Sequence, residues 1–119
     1  MQVSMLRAKL HQARVTGCDI NYVGSITIDE ALFEQCGMYA YEKVLVVDIE
    51  NGARFETYII AGKPGSGAIE LNGAAARLVE MGDQVIIMAY GLIDEESVAD
   101  WIPTRVLVDE KNKVKEILC

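Results

Sequence analysis

The stretch EKVLVVDIENGARFETYIIA, residues 42–61, constrains the fold more than any other part of the chain. Two runs rich in Val, Ile, Phe, Tyr and Thr flank Asn51-Gly52. Those side chains suit a pleated, half-buried surface. Asn-Gly suits a two-residue type I′ turn, in which both positions need a positive φ. The expectation is a β-hairpin. Similar patterning recurs on both sides. Leu6, Ala8 and Leu10 alternate with Arg7, Lys9 and His11, which predicts a strand with one wet face. Residues 15–24 read as a connection passing into a short strand. Asp29 can cap a short helix over EALFEQC, with Gly37 as its stop. GKPGSG (62–67) reads as a loop and AIEL as a short strand. Asn72-Gly73 opens a small helical segment, AAARLVEM. Gly82-Asp83 turns the chain into QVIIMAY, an apolar run typical of a buried strand. DEESVADW reads as a short acidic helix, and TRVLVD and VKEIL form a last strand pair around EKNK. Strands dominate, at a spacing too tight for repeated βαβ units. The fold expected is mainly β, a compact barrel with small helical caps.

A length of 119 residues predicts a single domain spanning 1–119, large enough to bury one core without staples. No apolar run approaches the roughly 18 residues that a membrane span needs. MQVSMLRAKLHQAR lacks the continuous apolar segment of a secretory signal, so a cytoplasmic location is expected. The net charge of −7 argues against a nucleic-acid partner. It leaves room for a small anion held by local cations, of which Lys9 and Arg54 are the ones to watch. Cys18, Cys36 and Cys119 form no CxxC pair, and His11 is the lone histidine, so neither a disulfide framework nor a metal site is expected. Cys18 and Cys36 read as small, partly buried residues. The lone His11 reads as a hydrogen-bonded structural residue.

Three short stretches could carry chemistry. In NYVGSITID, Gly24 interrupts β-prone sequence, which marks either a tight turn or a peptide bond that the protein cuts in itself. In ARFETY, Arg54, Glu56 and Tyr58 share one strand face and Thr57 takes the other. That face is either simply solvated, or places Arg54 to clamp a carboxylate and Tyr58 to transfer a proton. In NGAAA, Asn72 either caps an Ala-rich turn or helps build an anion site from backbone N–H groups. PGSG lacks the following GK[ST] of a phosphate loop.

Taken together, KLH at 9–11, YVGS at 22–25, NGARFETY at 51–58 and NGAAA at 72–76 stand in an order and spacing that resembles the bacterial aspartate 1-decarboxylase family. These are pyruvoyl-dependent carboxy-lyases that make β-alanine for pantothenate and coenzyme A. The resemblance covers nearly the whole chain and is least specific from Asp94 to Cys119. Gly82-Asp83 before a hydrophobic strand is similar to the turn signature of double-psi β-barrels, the fold the family implies. The resemblance implies autocatalytic cleavage between Gly24 and Ser25, into a β chain of 1–24 and an α chain of 25–119. It converts Ser25 to the pyruvoyl cofactor that forms a Schiff base with L-aspartate. It implies Tyr58 as proton donor, and Thr57 as a group that orients the Gly24 carbonyl and contacts substrate. Arg54, Lys9, Gly73, Ala74 and Ala75 are implied substrate-binding residues, with Tyr22, Asn72 and His11 in support. It also implies a homotetramer with sites between subunits. Whether maturation is spontaneous or uses a helper protein is open at this point, as is strictness for aspartate over other acidic amino acids.

Overall fold

Alternating inward and outward residues build the longest strand, β1 (Gln2–Arg14), in a computed structural model that describes residues 1–119. Ala8, Leu10 and Ala13 are fully buried, while Arg7, Lys9 and His11 are only half-buried. The strand outruns the expected Leu6–His11 because Gln2–Met5 pair with the far end of β7 (Gln84–Asp94). Register shifts between Leu6 and Ala8, and between Leu10 and Ala13, re-aim the strand. The second turns the inward set from even to odd numbers, so that Ala13 and Val15 follow Leu10 into the core. Gln12 sits in this bulge with φ 61.

The other strands are β2 (Gly17–Asp19), β3 (Ser25–Asp29), β4 (Lys43–Asp48), β5 (Arg54–Gly62), β6 (Ile69–Asn72), β8 (Thr104–Val108) and β9 (Val114–Leu118). All nine join one mainly β sheet in the order β2-β6-β3-β5-β4-β7-β1-β8-β9. Pairs β1–β8, β2–β6 and β3–β5 are parallel, and the rest are antiparallel. The sheet curls until its far parts meet. The Thr16 N–H donates to the Ile69 carbonyl at 2.8 Å. The Asn112 side chain donates to the carbonyls of Arg14 and Gly67, at 2.9 and 2.8 Å. Inside lies a cluster of 22 buried apolar residues, with Leu10, Ile26, Ile28, Ile59, Ile69, Leu71 and Ile87 among them. Each fully buried Leu or Ile contributes about 1.5–3 kcal/mol of transfer free energy.

Helix α1 (Glu30–Gln35) begins at Asp29, whose carboxylate accepts from the Ala31 N–H, and presses Leu32 and Phe33 onto the core. Gly37, with φ 75, follows it. Asp29 does more than cap. It also accepts from the N–H groups of Gly65 and Gly67, and so pins the 62–67 loop beside the helix start. Burial opposes its charge. The N–H bonds from Gly67, Gly65, Ala31 and Leu32 outweigh that and hold its pKa below the ordinary value.

The structure corrects several expectations. Strands β4 and β5 do pair as a hairpin, but not through a type I′ turn. Gly52 has φ 75, whereas Asn51 is not left-handed. The loop runs from 49 to 53 and closes with the Gly52 N–H on the Asp48 carbonyl. Asn51 is held instead by its side chain, which accepts from the Ala53 N–H and donates to the Leu78 carbonyl, both at 2.8 Å. The helical segment after Asn72 is a 3-10 turn over Gly73–Arg77, shorter than AAARLVEM. Gly73 opens it at φ 69, outside α geometry, and Asn51 takes the Leu78 carbonyl. The acidic segment is likewise a 3-10 turn, Glu95–Asp100. Cys36 is buried as expected, but Cys18 is exposed on the short β2. No helix is long and apolar enough to cross a membrane.

Candidate active site

Strand β3 starts at Ser25, and that residue is completely buried. The preceding loop is its opposite, with Tyr22 and Val23 about half exposed or more. The Gly24–Ser25 peptide therefore joins an exposed loop to a fully enclosed residue. The Ser25 hydroxyl donates to the Val23 carbonyl at 2.9 Å. Its Oγ accepts from Asn72 Nδ2 at 3.0 Å, because Ser25 and Asn72 are partners in the antiparallel β3–β6 register. The other N–H of the same amide donates to Thr27 Oγ1, also at 3.0 Å. Asn72 precedes the 3-10 turn without using its side chain as a cap. The capping alternative is thus not what the structure holds.

Gly24 and Gly73 differ in what they do. A Cβ on Gly24 would meet nothing within 4 Å, and Gly24 is not left-handed. Packing does not demand a glycine there. A Cβ on Gly73 would lie 2.6 Å from Gly24 Cα, 2.8 Å from Gly24 N and 3.1 Å from the Tyr22 carbonyl oxygen. Gly73 is the residue whose missing side chain lets the Tyr22–Gly24 loop lie against the 72–73 turn. The contact joins residues about fifty apart, and only the folded chain reveals it.

Strand β5 runs parallel to β3, with Ile26 beside Ile59. Read back one residue, this register sets Ser25 level with Tyr58, on the face away from the core. Further along that face, Thr27, Ile60 and Asn72 line a cleft of about 480 Å³ with Tyr22 and Glu70. Tyr58 is half-buried, stacks on Tyr41 with ring centroids 6.5 Å apart, and lines a shallow recess with Lys43, Glu56 and Thr57. Thr57 lies opposite Val44 and is half-buried; its hydroxyl forms no hydrogen bond to the Gly24 carbonyl. Arg54 opens β5 as an exposed cation in no ion pair.

Lys9 is not brought to Ser25 within one chain. It lies on β1 between Met88 of β7 and Arg105 of β8, and β7 and β4 separate β1 from β5. His11, on the same strand face, stands opposite Leu107. Its Nδ1 is buried without a hydrogen-bond partner, contrary to the hydrogen-bonded role expected of it. Burial first, and the Lys9 charge second, lower its pKa, so the ring is neutral at pH 7. Gly73, Ala74 and Ala75 stand together in the 3-10 turn after Asn72, within the segment that the Gly24 backbone touches. No group of three or more His, Cys, Asp or Glu side chains is arranged to hold a metal ion.

The mainly β fold encloses one serine directly after an exposed glycine, with a carboxamide donating to its hydroxyl oxygen. A family profile described as Aspartate decarboxylase matches residues 1–115. The chain is 55% identical over 117 residues to the aspartate 1-decarboxylase of Carboxydothermus hydrogenoformans, covering 98% of this chain and 92% of that protein. It is 55% identical over 117 residues to that of Caldicellulosiruptor saccharolyticus, with 98% and 91% covered. It is 54% identical over 115 residues to that of Syntrophus aciditrophicus, with 97% and 99% covered. The chain belongs to the aspartate decarboxylase family.

Proposed function

We propose that this chain cuts itself between Gly24 and Ser25, converts Ser25 to a pyruvoyl group, and decarboxylates L-aspartate to β-alanine and CO2 for pantothenate synthesis. The observation that carries the reading is the complete burial of Ser25 at the foot of an exposed loop, with its Oγ held by Asn72. The hydroxyl of the next residue is the nucleophile that the chain itself carries beside the Gly24 carbonyl. Oγ bonds to the Gly24 carbon as the peptide C–N bond breaks, giving an ester and a free amine. Loss of the Cα proton then expels Oγ with the Gly24 carboxylate. Water replaces the nitrogen, which leaves as ammonia, and a ketone remains at residue 25. Thr57, whose hydroxyl does not reach the Gly24 carbonyl within one chain, would polarise that carbonyl in a neighbouring copy.

The surroundings fit such a group. The Gly24 backbone lies where a Cβ on Gly73 would be, and Asn72 presents an N–H to residue 25. Asn72 and the Gly73–Ala75 turn would hold the group and its substrate. When formed, the pyruvoyl carbonyl supplies an electron sink for the pair left behind by departing CO2. The chain's own residues do the rest. Arg54, exposed and unpaired, anchors the side-chain carboxylate of aspartate, the one that survives. Clamping the departing carboxylate would favour the ground state and slow the reaction. Tyr58 shares its face with Ser25 and carries a phenol O–H, so it is the proton donor.

Lys9 reaches the site from a neighbouring copy, which makes the working unit an oligomer, a homotetramer with sites between subunits. Exposed Tyr90, Leu92 and Ile102 support such association. The barrel is of the double-psi type, opened by the Gly82-Asp83 turn. A β-alanine assay with aspartate and glutamate tests the activity. Aspartate is expected to turn over, glutamate is not, and borohydride pretreatment abolishes the reaction. Activity that survives borohydride, or no β-alanine at all, contradicts the proposal.

A further inference from the structure

We infer that Thr27 is a positioning residue, which fixes the direction of the Asn72 carboxamide and keeps one N–H turned to residue 25 in the mature protein. The inference rests on the self-processing read above. The amide spends both N–H groups on hydroxyl oxygens of one strand face, Ser25 and Thr27, each at 3.0 Å. The terminal torsion of Asn is roughly two-fold, so nothing intrinsic separates this orientation from the one rotated by half a turn. That rotation would present Oδ1, an acceptor, to residue 25. In the uncut chain Ser25 itself prevents it, because its proton is committed to the Val23 carbonyl and its Oγ needs a donor. Cleavage carries this Oγ away with Gly24. Thr27 Oγ1 is then the hydroxyl left to hold the amide. Thr27 suits the task, because a β-branched side chain on a strand is stiff at χ1. It also lines a cleft together with Asn72.

The consequence separates two stages. Thr27→Val keeps the shape and removes the acceptor. Its self-cleavage rate is expected within about twofold of the parent, because Ser25 still orients the amide. Once mature, kcat is expected to fall about five- to tenfold, the size of one lost hydrogen bond. KM is expected to stay within twofold, and Thr27→Ser to restore most of kcat. In an Asn72→Ala background Thr27→Val is expected to add nothing, since Thr27 acts through Asn72. Enzyme made with carbon-13 serine supplies a readout apart from turnover. The keto-carbon resonance of residue 25 is expected to move upfield in Thr27→Val, as a carbonyl does when it loses a donor, and to return in Thr27→Ser. An unchanged resonance and kcat in Thr27→Val overturn the inference, as do additive effects in the double variant. Should Thr27→Val fail to fold or cut, Thr27→Ala against Thr27→Ser decides on the same readouts. A parent protein that shows no keto-carbon resonance fails at the earlier step, and this inference falls with it.

Discussion

Two places in the molecule bury polar side chains, and they do so by different means. On the β3–β6 side, Ser25 and Asn72 are buried, and the Ser25 hydroxyl and the Asn72 amide donate only to neutral oxygens. At the end of β4, Asp48 is also fully buried, but it is an acid. Its Oδ1 accepts from the Glu50 N–H at 2.8 Å, while Oδ2 has no donor. The neighbouring hydrogen-bonding side chain is the carboxyl of Asp83. Glu50, Glu80 and Arg77 are the other charged residues beside Asp83, around the recess between the hairpin loop and the 80–83 turn. Two acceptors face each other, and a proton between them resolves the conflict. Burial and then the Asp83 carboxyl push the Asp48 pKa up to about 6. The first region is indifferent to pH by construction, and the second is not. The neutral network surrounds the residue proposed to react. The acidic pair joins the hairpin that carries Arg54 to the turn that leads into β7.

The largest effect falls on the neutral side. Ser25→Ala removes the nucleophile, so the chain is expected to remain whole and to form no β-alanine, as read by gel and amino-acid analysis. Gly73→Ala acts on the same region through geometry. It adds a Cβ 2.6 Å from Gly24 Cα at a φ of 69, a strain on the order of 1–3 kcal/mol. Cleavage measured by mass spectrometry is expected to slow by about tenfold or more. A Gly73→Ala chain that cuts at the parent rate removes the close approach from the account.

The other predictions lie on the hairpin side, where cleavage is expected to be untouched. Arg54→Ala should raise KM for aspartate by about tenfold or more, the loss of one charge-assisted anchor. Unchanged kinetics remove Arg54 from the site. Asp48 sets a dependence of stability on pH. Its folded pKa lies above the unfolded one, so the folded state holds the proton more tightly. Its contribution is complete below the ordinary carboxylate pKa and is lost as pH rises through about 6. Thermal melts are expected to lose stability over that interval, by on the order of 1 kcal/mol. Asp48→Asn supplies a permanent donor to Asp83 and is expected to flatten that part of the profile. An Asp48→Asn protein with the parent's pH profile would show that the pair shares no proton.

Much of this was legible in the sequence where the cause is local. Alternation gave the strands, Asp29 the helix cap, and Gly37 its exit. Long-range causes were not legible. Asn51 abandons the left-handed geometry of a two-residue turn because its side chain ties to Leu78, across the fold. Two bulges extend β1, and each depends on a partner strand about eighty residues away. Among the site residues, Ser25 and Asn72 meet in the β3–β6 register and Tyr22 lines a cleft with Asn72, whereas Tyr58 lines a separate recess. Thr27 carried no signal beyond β propensity, since its part depends on an amide forty-five residues on. Lys9 reads from the sequence as a partner of Arg54, but strand order places two strands between theirs.

The mass of the intact, folded chain after ageing near physiological temperature bears most directly on self-cleavage at Ser25. Two fragments are expected, one of residues 1–24 ending in a free carboxylate and one of residues 25–119 whose first residue is a keto-acyl group reducible by borohydride. A single mass for all 119 residues, unchanged with time and unreactive to borohydride, would contradict it.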